Sequence, residues 1–85
     1  MTSQIHITIL YFASVKDATG LRMEAIELPR DTSIEKLLTK ISLTYPNIQS
    51  ILNIIQISVN YKVVNMDTIL KDGDEVALLP PISGG

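Results

Sequence analysis

Eighty-five residues, 46% of them hydrophobic and most of those Ile, Leu or Val, supply one small aliphatic core and exclude a disordered chain. With no cysteine, the chain cannot form disulfides or thiolate metal sites, and it cannot carry a persulfide on a side chain. Seven Lys/Arg stand against nine Asp/Glu with no basic cluster, so a formal net charge of −2 leaves nucleic acid without an electrostatic footprint.

The first residues, Met1-Thr-Ser-Gln-Ile-His, alternate polar and apolar character, unlike a signal peptide. No apolar run approaches the ~20 residues that span a bilayer, so no membrane partner is expected. The lack of disulfides fits a reducing, cytoplasmic setting. From Gln4 to Phe12 the alternation continues as a strand. Ile5, Ile7, Ile9 and Tyr11 share a core face, and His6, Thr8, Leu10 and Phe12 share the other. That second face begins polar and ends apolar. Ala13 to Thr19 can form one or two helical turns closed by Gly20. Leu21 to Leu28 reads as a second strand in a hairpin with the first, with Ile26 and Leu28 inward and Glu24 and Glu27 near its edges.

A helix follows. Thr32-Ser-Ile-Glu35 fits a capping box with the threonine hydroxyl as cap. Ile34, Leu37, Leu38 and Ile41 then form one apolar stripe at helical spacing, and Pro46 ends the helix near Thr44 or Tyr45. Ile55, Ile57 and Val59 alternate with polar residues as a third strand. Tyr61-Lys62 is expected to turn into a short strand at Val63-Val64. Lys71-Asp-Gly-Asp74 is a turn signal, and Glu75 to Leu79 forms the last strand, stopped by Pro80-Pro81.

This order, ββαβββ with the last strand central beside the first, predicts an α+β protein of the β-grasp (ubiquitin-like) class. A mixed sheet of about five strands would pack on one main helix. Residues 1–85 are expected to make one domain, with 80–85 as a flexible tail. His6 stands alone, and turn formation accounts for Asp72, Asp74 and Glu75, so no metal site is expected.

Two of the four glycines are Gly84 and Gly85. Without side chains, such an end can thread a narrow channel and bring a carboxylate against a nucleotide. Once adenylated, that carboxylate can accept sulfur as a thiocarboxylate, a soft nucleophile that needs no catalytic side chain from the carrier.

The segment Ile9-Leu-Tyr-Phe-Ala-Ser-Val-Lys-Asp-Ala-Thr-Gly20, the pair Val59-Asn60 and the run Asp72-Gly-Asp-Glu-Val-Ala-Leu-Leu-Pro-Pro-Ile-Ser-Gly-Gly85 resemble the small subunits of molybdopterin synthase. Lys16-Asp17 stands where that family usually has Arg-Glu, and Leu78-Leu79 replaces a common aromatic pair. The resemblance implies a sulfur carrier of molybdenum cofactor biosynthesis. Gly85 would become the thiocarboxylate, and Pro81, Ile82, Ser83 and Gly84 would thread into the partner. Phe12, Val63 and Leu79 match the family's partner-binding patch. The implied partners are the synthase large subunit, a ubiquitin-activating-like adenylyltransferase that uses ATP and Mg, and a sulfur donor protein. No cofactor would be bound permanently. The chain would be the small subunit of a heterotetrameric sulfurtransferase complex whose large subunit supplies the catalytic side chains. Two alternatives share these features: a carrier for thiazole synthesis or tRNA thiolation, and a ubiquitin-like binding module without tail chemistry.

Overall fold

The computed structural model describes residues 3–81. The elements run β1 (Gln4–Tyr11), α1 (Ala13–Thr19), β2 (Met23–Pro29), α2 (Ile34–Thr44), a 3-10 turn at Pro46–Ile48, β3 (Gln56–Val59), β4 (Lys62–Val63) and β5 (Glu75–Leu79). The five strands form one mixed sheet in the order β2-β1-β5-β3-β4. β1 pairs antiparallel with β2 and parallel with β5, which therefore lies at the centre. This is the β-grasp arrangement expected from the element order.

The α2 stripe closes one face of the sheet. Ile34, Leu37, Leu38 and Ile41 are buried against Ile5, Ile7, Ile9, Ile57, Val76 and Leu78. Burying each such side chain is worth roughly 1.5–3 kcal/mol relative to leaving it exposed, so the stripe is what holds the helix on the sheet. In the central strand β5, Val76 and Leu78 are buried beneath α2, and Ala77, on the other face, is hemmed in by its neighbours.

Two local expectations are corrected and a third is refined. The α2 cap is Ser33, not Thr32: the Ser33 hydroxyl accepts from the Lys36 amide at 3.2 Å. The Thr32 hydroxyl donates instead to the Pro29 carbonyl at 2.6 Å. Glu35 has no part in a box, because its amide and that of Ile34 donate to the carbonyls of Met66 and Thr68, brought in from the later loop. Second, the β3–β4 turn is one residue earlier than expected. Asn60 and Tyr61 hold it, both at positive φ (51° and 72°), and β4 is Lys62–Val63. Asparagine is the residue that tolerates this conformation best after glycine, and two-residue hairpins need it at both central positions. Third, Glu24 lies near the start of the edge strand β2, as expected. It shares its parity with Ile26 and Leu28 and turns toward the core.

Both helix ends match the expectations. α1 ends at Gly20, whose φ is 78° and whose amide donates to the Lys16 carbonyl. α2 ends at Thr44, with Tyr45 as its cap ahead of Pro46. No helix among the described residues is long and apolar enough to cross a membrane.

Candidate functional site

Among the described residues, no helix covers the face of the sheet opposite α2. Strand register determines which side chains meet there. Leu10 lies opposite Met23 on β2 and Ala77 on β5; Ala77 lies opposite Ser58 on β3, and Ser58 opposite Val63 on β4. These five residues make one row across all five strands. One step toward the end of β5, Leu79 lies opposite Gln56, and Phe12 follows Tyr11, whose partner is Leu78. One step the other way the pairs turn polar, with Thr8 beside Glu75. The face is therefore apolar on the half nearest the end of β5 and polar on the other half. This explains why the outward residues of β1 change character along the strand.

Phe12, Val63 and Leu79, the three candidate docking residues, line one concavity together with Leu10, Tyr61 and Ala77, with Ser58 and Glu75 as its polar members. Phe12 is 44% exposed and Val63 65%, large values for apolar side chains on neighbouring elements. Leu79 is half-buried. A contiguous apolar patch of this kind marks an interaction surface more often than a bare surface. A second concavity opens where β5 ends, lined by Ile54, Gln56, Leu79, Pro80 and Pro81. Pro81 thus stands at the rim of the apolar half. Ile82, Ser83, Gly84 and Gly85 lie outside the described residues.

Phe12 is held outward by its backbone. Its carbonyl accepts from the amides of Val15 and Lys16, and the preceding Tyr11 amide donates to Arg22 at 2.8 Å. Ala13 then takes a φ of 49°, a conformation that an L side chain rarely adopts. On the opposite face the Tyr11 hydroxyl donates to Glu24 at 2.8 Å, and the Tyr45 hydroxyl reaches both oxygens of the same carboxylate at 3.2 Å. The two rings meet edge to face, 6.3 Å apart. Burial and the Glu24 carboxylate raise both tyrosines above the ordinary phenol value. Glu24 thereby ties the end of β1, the start of β2 and the end of α2 directly beneath Phe12.

Met23, Tyr61 and Ile54 belong to this face and were not expected from the sequence. Met23 is 57% exposed and Tyr61 89%. The hairpin register would have found Met23, since it lies opposite Leu10, but Gly20 marks a turn without setting the pairing. Tyr61 was lost with the one-residue shift of its turn. His6 is exposed, 2.8 Å from Glu27 and near Asp72, on the polar half of this face, at the far end of β1 from Phe12.

An open apolar sheet face beside the end of a central strand, on a ββαβββ frame, defines a ubiquitin-like carrier or binding class. The family model described as ThiS family matches residues 9–85, and the chain belongs to that family. It is 33% identical to the molybdopterin synthase sulfur carrier subunit of Homo sapiens over 88 residues, covering 100% of both chains. Among solved structures it resembles the putative molybdopterin converting factor, subunit 1, from Pyrococcus furiosus. That match has 27% identity, a TM-score of 0.83, and coverage of 92% of this chain and 99% of that one. It also resembles a chain in the protein–protein complex of subunits 1 and 2 of molybdopterin-converting factor from Helicobacter pylori 26695. There the identity is 26%, the TM-score 0.65, and the coverage 95% of this chain and 100% of that chain.

Proposed function

We propose that this chain is the sulfur carrier subunit of a molybdopterin synthase, working through the carboxylate of Gly85. The observation that carries this reading is the position of the apolar half-face. It adjoins the end of the central strand, from which Pro80-Pro81 lead toward Gly84-Gly85. A partner seated on Phe12, Val63 and Leu79 would have the tail directed into its own active site.

The chemistry follows from the carboxylate. It is unreactive toward nucleophiles until an oxygen attacks the α-phosphate of ATP, with Mg on the activating adenylyltransferase, and releases pyrophosphate. Hydrosulfide-level sulfur from a donor protein then attacks the acyl carbon; AMP leaves and –COS⁻ remains. In the synthase, that sulfur would attack a side-chain carbon of the pyranopterin precursor and replace a carbon–oxygen bond there, the oxygen leaving on the opened cyclic phosphate or as water. Water then takes the acyl group and returns the carboxylate. Two such deliveries build a dithiolene. No side chain of this chain needs to transfer a proton, so the small subunit supplies docking and sulfur, and the large subunit supplies the pocket.

The test is reconstitution. Thiocarboxylated protein, the synthase large subunit and cyclic pyranopterin monophosphate are mixed, and the dithiolene product is measured against carrier consumed. The expected result is about two carriers spent per product, with Phe12→Asp slowing formation at least about 10-fold through lost docking. Sulfur transfer to a thiazole synthase with no dithiolene formed would overturn the reading.

A further inference from the structure

The apolar half-face does not stop at Phe12. On the β2 side a groove runs between α1 and the start of the edge strand, floored by Leu10, Phe12, Ala13 and Met23 and rimmed by Lys16 and Arg22. Leu10 and Phe12 also line the concavity that holds Val63 and Leu79, so the two hollows are continuous across β1. The groove differs from the rest of the surface in charge. The chain carries net −2, yet no carboxylate lines this groove, and both charged residues at its rim are cations. Of the two acids adjacent in sequence to groove residues, Asp17 is not part of the lining, and Glu24 is turned to the opposite face by Tyr11 and Tyr45. Among the described residues the close ion pairs are those of His6, so neither Lys16 nor Arg22 is neutralised within the fold.

An apolar floor under two unpaired cations is complementary to an apolar side chain flanked by acid. Met23 adds an adaptable contact, because its unbranched side chain can repack around whatever enters. Resting on the sulfur-carrier reading, we propose that this groove, through Arg22 and Met23, is a second anchor point for the synthase large subunit, taking an apolar side chain flanked by carboxylates. Arg22 steers and orients the acidic flank, and Met23 closes over the apolar group. The Phe12–Val63–Leu79 concavity then sets the tail, and this groove fixes the rotation of the carrier about it.

The experiment is titration of the purified large subunit with the full chain, its Met23→Ala and Arg22→Glu variants, and Leu79→Asp as reference, by calorimetry at two salt concentrations. Both groove residues are exposed, and unchanged thermal melting confirms that each variant folds. The expected result is roughly 10-fold weaker binding for each groove variant. For Arg22→Glu alone, the loss should shrink as ionic strength rises from about 0.05 to 0.5 M, since exposed charges are screened over that range. Three outcomes would overturn the proposal. Groove variants that bind like the parent while Leu79→Asp fails would leave the carrier reading standing and remove the second anchor. Variants impaired only toward the activating adenylyltransferase would assign the groove to that enzyme. A groove closed by a second copy of the chain, seen as a dimer in sedimentation that Met23→Ala dissolves, would assign it to self-association. If the parent chain itself does not bind the large subunit, the carrier reading falls and this inference falls with it.

Discussion

Glu24 shows how much one residue can escape a pattern of hydrophobicity. A carboxylate near the start of an edge strand suggests exposure, yet its parity with Ile26 and Leu28 sends it inward, where two tyrosine hydroxyls meet it. Nothing in the sequence pairs Tyr11 with Tyr45, because their proximity depends on how α2 lies across β1. The network makes a pH prediction. Tyr11 and Tyr45 are both raised above their ordinary value of 10.0, by burial and by the Glu24 carboxylate. The folded chain then keeps these protons where the unfolded chain would lose them, so stability is full below that value and falls as pH rises above it. Tyr11→Phe should cost about 1–2 kcal/mol near neutrality, the loss of a hydrogen bond to a charged acceptor. It should also flatten the alkaline fall in stability. Urea unfolding near neutral pH and again above about pH 10 checks both parts. Unchanged stability in both ranges would mean that Glu24 is satisfied without Tyr11.

At the scale of elements, period and punctuation were legible and caps were not. The 3.6-residue stripe of α2, the alternation of β1 and the closure of α1 at Gly20 are local properties, and the structure keeps each of them. The α2 cap depended on a distant segment. The carbonyls of Met66 and Thr68 take two of the first free amides, which a capping box would otherwise have had to satisfy. Only Ser33 is left with a capping role. Ser33→Ala should therefore lower stability by about 1 kcal/mol, and Glu35→Ala by far less, since no reciprocal contact from Glu35 exists. Chemical denaturation of the two variants distinguishes this from a capping box, in which both would cost similar amounts. The β3–β4 turn failed for a related reason. Asn60 also bonds to Asp74 and to the Glu75 amide, so contacts from β5 place the turn one residue ahead of where local composition suggests.

For the whole molecule, the order of elements and the central position of β5 could be read from the chain, because each strand carried its own signal and a parallel neighbour for β1 left few topologies. The apolar face was legible in part. Phe12 and Leu79 stand out as apolar residues on the wrong side of their strands. Met23 and Tyr61 join them only once the register across five strands is known. In the proposed reading the face and the tail act together: the sheet supplies the surface for a partner, and the Gly84-Gly85 segment follows in sequence from the end of its central strand. The central claim is that sulfur travels on Gly85. The most direct test is the intact mass of the protein after incubation with ATP, a sulfide source and the cognate activating enzyme, beside a variant extended by one residue after Gly85. Oxygen replaced by sulfur should add about 16 Da to the native chain and nothing to the extended one. A native chain of unchanged mass, or the same gain in both, would contradict a carrier that works through its terminal carboxylate.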